Sequence, residues 1–266
     1  MKKLLAILLA AILCVGLMAG CGQTTIIVNM GGEDEAEETP AATEAPENTP
    51  EPAETAAPVV DDTPLPEGQL KTGLAIVSVV SSSSKAASAD ADGLAQADTT
   101  FAAVLVDGDG VIKDCLIDCV QTKIAVSATG EILTAADTAF DSKIVLDDAY
   151  DMRKASPIGA EWDEQANFLA DYVTGKTLDE VKGIAIDDGG KPTDADITTG
   201  CTMNIAEILT AVENAVANAK VLGAGVDDTL YMNCNAIVSD SSKAASADGD
   251  GNAQADVTVG AYTLDA

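Results

Sequence analysis

An α+β fold, with hairpin strands forming an antiparallel or mixed sheet and a few helices packed on it, follows from the order of hydrophobic periods along the chain. Strand-like alternation comes first, between Leu74 and Val120, and two helical periods follow, one around Trp162 to Val173 and one around Ile205 to Lys220. A short return to strand character at Ile184 to Ile186 separates them.

The element signals are local. Leu74 to Val80, Thr99 to Val106 and Val111 to Val120 read as strands, and Asp107-Gly108-Asp109-Gly110 joins the last two as a hairpin turn. A shorter hairpin turns at Thr129-Gly130. Trp162, Ala166, Leu169 and Val173 lie on one helical face, with Gly175 placed to terminate that helix. Thr177 and Glu180 have capping-box spacing for a short helix. In the last helix, Asn204 and Glu207 stand at cap positions and Ile205, Ile208, Leu209, Val212 and Val216 face inward.

Ahead of the folded part, Lys2 and Lys3 precede an apolar run from Leu4 to Leu17, followed by Met18-Ala19-Gly20-Cys21. Residues 1–20 therefore read as a signal peptide, too short in its apolar run to be a stable membrane span. The pattern resembles the bacterial lipobox, with Met18 in place of the usual leucine, which implies acylation of Cys21 and a lipid-anchored protein on the outer face of the membrane. No later segment is long and apolar enough to span a bilayer. Residues 21–71 read as an acidic tether. Between Lys3 and Lys71 there is no Lys or Arg, and Glu33 to Glu67 is dominated by Glu, Pro, Thr and Ala, a composition that buries almost nothing. Repulsion and prolines are expected to extend it and hold the folded part tens of Å from the bilayer. Thr24 to Met30 is an apolar exception within it.

Composition removes whole classes of chemistry. The formal net charge of −30 repels nucleic acid, and no basic stripe interrupts it. The chain has no histidine, which excludes Ser-His-Asp and Cys-His catalysis, histidine-ligated haem and the usual His-containing zinc sites. Aromatic residues make up 3%, so Ala, Val, Leu and Ile must build the core. Cys115 and Cys119 sit on one strand about 13 Å apart, too far for a disulfide, and read as buried thiols. A metal site of Cys115, Cys119 and Cys201 lacks a recognised ligand spacing.

Ser83 to Asp107 repeats as Ser241 to Asp265, with Ser-Lys-Ala-Ala-Ser-Ala-Asp and Ala-Gln-Ala-Asp identical. This divides the chain into a first unit, residues 72–220, and an incomplete second copy, residues 221–266. The second copy has too few strand-like residues to bury a core alone, so it is expected to stay mobile or pair with an edge of the first, which should remain folded without it. Within the repeat, Ser88, Asp90, Asp92 and Gly93, and again Ser246, Asp248, Asp250 and Gly251, match the early positions of a calcium loop. The bidentate glutamate position holds Thr99 or Val257, so solvated turn aspartates are the better reading.

Asp196-Ile197-Thr198-Thr199-Gly200-Cys201-Thr202 stands immediately before the last helix. A phosphate on Thr202 would face the amides and positive dipole end of that helix, and Gly200 would let the backbone approach it. Asp196, Thr199, Gly200 and Thr202 resemble the Asp-x-x-Ser/Thr-Gly-Ala-Thr signature of the FMN-binding domain family, with Cys201 in place of alanine. The stretch from Tyr150 to Thr177, with Ala155-Ser156-Pro157-Ile158-Gly159, Glu161-Trp162, Gln165 and Gly175-Lys176-Thr177, is similar to the membrane-anchored surface lipoprotein branch. The resemblance covers nearly all of residues 72–220. It implies FMN held covalently through a phosphoester to Thr202, with Asp196, Thr199, Gly200 and Cys201 forming the recognised motif, and a flavin transferase as the partner that makes the bond.

The protein would then be an extracytoplasmic electron carrier for a membrane or surface redox partner. The ring would do the redox chemistry and the protein would supply attachment and orientation. Trp162 and Met152 are candidates to pack near the ring. The rival classes are a structural or immunogenic surface lipoprotein with the same fold and no flavin, and a small-ligand module using the repeated Ser/Ala/Asp loop.

Overall fold

The computed structural model describes residues 21–30, 64–246 and 249–265. The expected signal peptide, most of the expected tether and Asp248 lie outside the described residues. Along the chain run β1 (Cys21–Met30), β2 (Gln69–Val80), β3 (Gly93–Val106), β4 (Ile112–Val126), β5 (Ala139–Phe140), α1 (Lys143–Leu146), α2 (Trp162–Val173), α3 (Leu178–Lys182), α4 (Ala195–Thr198), α5 (Ala206–Ala217), β6 (Lys220–Gly225), β7 (Thr229–Val238) and β8 (Gly251–Leu264).

The fold is α+β, with its strands in two four-stranded sheets of order β4-β3-β2-β6 and β1-β8-β7-β5. Every strand pair is antiparallel. The layers follow from which residues each strand buries. Ala102, Val104, Cys115, Ile117 and Cys119 on one face of the first sheet form a core with Trp162, Ala166, Leu169 and Val173 of α2 and Ile208, Leu209, Ala211, Val212 and Ala215 of α5. The opposite face, with Phe101, Ala103, Leu105, Val120 and Ile124, packs against Leu230, Ala236, Val238, Ala253, Ala255, Val257 and Val259 of the second sheet. The first sheet is thus the middle layer, with helices on one side and the second sheet on the other.

The repeat has a structural counterpart that extends beyond the matched sequence. In β2–β3 the pairs run from Lys71 opposite Val106 to Val80 opposite Ala97, and in β7–β8 from Thr229 opposite Leu264 to Val238 opposite Ala255, the same register in each copy. The connecting loops use the same bonds. Gln96 Nε2 donates to Ser81 Oγ and Asp98 Oδ1 at 3.1 and 2.9 Å, and Gln254 Nε2 donates to Ser239 Oγ and Asp256 Oδ1 at 3.0 and 3.1 Å. Ser84 and Ser242 each exchange hydrogen bonds with the backbone of the corresponding glutamine. The two loops are thus held by the same serine and glutamine bonds, and among the described residues no group of His, Cys, Asp and Glu is arranged to hold a metal.

Four expected boundaries shift. Strand structure occupies Cys21 to Met30 and begins again at Gln69, so both ends of the expected tether are strand. The unit boundary expected at Lys220 falls on the first residue of β6, which pairs with β2, and residues 229–264 supply two strands of the second sheet. That pairing gives those residues a core to complete, since the inner face of β3 and β4 is itself apolar. Ile184 to Ile186 join no sheet. Ile186 makes one bridge to Pro192 around a turn in which Asp187 Oδ1 accepts from the Gly189 and Lys191 amides. The last helix begins at Ala206, because Asn204 Oδ1 already accepts the Ala206 amide and Ile205 takes the cap position.

Candidate functional site

Local capping chemistry shapes the segment from Asp194 to Thr202. Asp194 Oδ1 accepts the Asp196 amide at 2.8 Å and opens the single-turn α4, in which Ile197 is buried and Asp196 is exposed. Thr199 Oγ1 donates to the Asp196 carbonyl at 2.7 Å, and the amides of Gly200 and Cys201 both donate to the Ile197 carbonyl. This bifurcated closure drives the chain inward, burying Cys201 completely and leaving Thr202 half-buried at the surface.

Gly200 has a packing reason more than a turning one. A Cβ there would fall 2.2 Å from Phe168 Cδ2, because the Phe168 ring from α2 lies on the Gly200 backbone. Any side chain at Gly200 would push α2 away from the loop.

Gln165 fixes Thr202. Its side chain is fully buried, and Oε1 accepts the Thr202 amide at 2.9 Å and the Thr202 hydroxyl at 3.3 Å. The amide nitrogen of Gln165 donates to Ser156 Oγ at 3.3 Å and to the Ala160 carbonyl at 3.1 Å. The Tyr150–Thr177 stretch and the Asp196–Thr202 segment are therefore joined by one side chain. The sequence carries a signal for it, since Gln165 is a polar residue on the inward face of α2 among Trp162, Ala166 and Leu169. Glu161 braces the start of α2, accepting the Met152 and Arg153 amides at 2.8 and 2.9 Å while buried.

The Cys201 thiol sits among apolar groups. Burial pushes its pKa up to about 11, with the Met203 amide pulling the other way, so it stays a neutral thiol at physiological pH. Cys115 and Cys119 are free and buried in the helix-side core, and burial raises both thiols. Trp162 also belongs to this core, 5% exposed, with Lys143 Nζ 4.9 Å from its ring centroid. It is part of the packing beneath α2 and presents no free face for a flavin ring. Met152 is partly buried against the same core.

Chemically, the segment offers the half-buried Thr202 hydroxyl, held in place by a buried amide, beside the exposed Thr199, whose hydroxyl already donates to the Asp196 carbonyl. Gln165 has no basic nitrogen, so it orients the Thr202 hydroxyl without acting as a base towards it. The amides of residues 200, 201 and 202 are all donated within the protein, as is that of Ala206. Of the amides beside Thr202, those of residues 200 to 202 are thus turned into the protein, and that of Ile205 donates to the Gly190 carbonyl. The chain matches no known family model, no curated protein and no solved structure.

Proposed function

We propose that this chain is a surface lipoprotein, anchored through Cys21, that carries FMN as a phosphoester on Thr202 and relays electrons outside the cytoplasm. The observation that supports the flavin most directly is the Thr202 hydroxyl itself, half-buried at the surface and oriented by the buried Gln165, while the hydroxyls of Thr198 and Thr199 are tied to the Ala195 and Asp196 carbonyls. FMN would supply the redox chemistry. Thr202 would hold it, Gln165 would fix the attachment point, Gly200 and Phe168 would set the distance of the loop from α2, and Asp196 and Thr199 would present the motif to a flavin transferase. Covalent attachment suits an exported carrier, because a dissociating cofactor would be lost to the medium.

The decisive experiment makes the protein beside an active flavin transferase and measures its mass. A gain of FMN less water, mapped to a peptide containing Thr202 and abolished by Thr202→Val with the fold retained, is the expected result. A colourless wild-type protein with no added mass sinks the proposal. The structural lipoprotein and the ligand-binding module would then stand. For the anchor, Cys21→Ala is expected to move the protein to the soluble fraction.

A further inference from the structure

The second sheet takes its outer strand from the far end of the chain. The third strand of the first sheet, β4, follows β3 through a tight turn, whereas the strand on the same side of β8 is β1, separated from β2 by the 38 residues 31–68. The two outer strands also resemble each other. Cys21-Gly-Gln-Thr-Thr-Ile-Ile-Val-Asn-Met-Gly-Gly-Glu33 and Cys119-Val-Gln-Thr-Lys-Ile-Ala-Val-Ser-Ala-Thr-Gly-Glu131 are identical at 7 of 13 positions. Cys119–Val126 pairs with β3, and Cys21–Met30 pairs with β8, which is the repeat of β3.

The pairing places Thr24, Ile26, Val28 and Met30 opposite Val257, Ala255, Ala253 and Gly251, all on the buried face of β8. The corresponding β4 pairs set Ile124 and Val126 opposite Ala95 and Gly93. Aligned by sequence, the two outer strands are two residues out of step, an even slip that keeps the same residues on the same face.

We infer that Cys21–Met30 is the transposed third strand of the repeat, so that the residue reading as the lipid anchor is the first residue of a sheet strand and not the tip of a long tether. The alternate positions are Gln23, Thr25, Ile27 and Asn29, three of the four polar, against Ile26, Val28 and Met30 at the positions paired with buried β8 residues. The acidic segment 31–63 then lies within a loop closed at both ends by sheet, and cutting it does not separate the anchor from the fold. The strand itself does not depend on flavin or lipid. Its consequence for the membrane rests on the lipid anchor, and it sets the second sheet against the bilayer, because Cys21 pairs with Gly260, two residues from the exposed Tyr262.

Two experiments on the full mature chain test this. The lipidated protein is bound to phosphatidylcholine vesicles and cut with a glutamyl endopeptidase, whose sites include Glu33, Glu35, Glu37 and Glu38. The core should stay with the vesicles, and the peptide beginning at Cys21 should co-elute with it in native size exclusion after detergent extraction. Ile26→Asp, opposite the buried Ala255, should weaken that retention roughly tenfold or more. Release of the core on cutting, while the uncut chain pellets, overturns the inference.

If the uncut chain does not pellet, the lipid reading fails. Co-elution of the peptide in solution then decides the strand, and its loss refutes it. Separately, Gln23→Cys with Thr258→Cys, an adjacent pair in the structure, should form a disulfide within one chain. A cross-link found only between chains shows that a second copy donates the strand, and the absence of any cross-link in a folded protein removes the pairing altogether.

Discussion

Gln165 carries more of the candidate site than any residue of the motif it serves. Replacing it with Leu keeps the volume but removes the partner of the Thr202 amide and of the Ala160 carbonyl, both partly buried. We expect Gln165→Leu to cost about 2–3 kcal/mol in denaturant unfolding, and flavin attachment to slow more than Thr199→Val slows it, because the hydroxyl loses its orientation. Rapid, complete attachment to the Leu variant would show that the transferase positions Thr202 unaided. Asp118 gives a second test at this scale. Burial raises its carboxyl above the usual range, against the pull of Ser142, the Cys119 and Ile144 amides and Lys143. An acid whose folded pKa is raised binds more protons folded than unfolded, so stability falls as pH rises from the ordinary carboxylate range through the folded value. Asp118→Asn, which keeps an acceptor for both amides, should flatten that decline in urea midpoints measured from pH 4 to 7. An unchanged slope would place the pH dependence elsewhere.

The two repeated hairpins invite a matched comparison at the scale of an element. Gly93 and Gly251 open β3 and β8, and a Cβ at either would lie 2.6 Å from the Ala87 nitrogen or 2.9 Å from the Ala245 nitrogen. Both contacts are backbone across the loop closed by Lys85 with Leu94 and by Lys243 with Asn252, so relief requires the loop to move. We expect Gly93→Ala and Gly251→Ala to destabilise by about 1–3 kcal/mol each, read as shifts in denaturation midpoint. A neutral effect at both would mean that the loops are not fixed as described. These hairpins also show what was legible in the sequence. The Asp107-Gly108-Asp109-Gly110 turn, the inward face of α2 and the Thr177–Glu180 capping box are written in neighbouring residues, and the structure contains each of them. The second sheet is not local. Thr24 to Met30 lacks a partner within reach in the chain, and β7 and β8 bury their apolar residues only because β3 and β4 offer a second apolar face. Ile184 to Ile186 failed for the converse reason, since three apolar residues with no sheet edge beside them settle into a turn. At the site, the resemblance singled out Thr202, but its contact with Gln165 spans 37 positions and emerges only when α2 and the α4 turn are packed together.

For the whole molecule, the proposed anchor raises the question of which surface would meet the membrane. A formal charge of −30 with only 14 Lys and Arg opposes adsorption to any anionic surface, so under the proposed function contact would have to come from a lipid on Cys21. With β1 paired as described, a lipid on Cys21 would leave the protein at the end of the second sheet where Tyr231 and Tyr262 stack at 5.5 Å between centroids, 40% and 46% exposed. Leu264, two residues beyond Tyr262, is 52% exposed. Paired tyrosines with an apolar body and a polar tip suit the headgroup level of a bilayer. A tryptophan at Tyr262 should report this contact: in a Trp162→Phe background, Tyr262→Trp fluorescence should be quenched by brominated acyl chains when the protein is lipid-anchored, and not when Cys21→Ala leaves it in solution. On vesicles containing anionic lipid the quenching should deepen as salt is raised, since screening weakens repulsion of the acidic domain. If the tryptophan is unquenched while the anchored protein pellets with the vesicles, the domain stands away from the bilayer on its acidic segment.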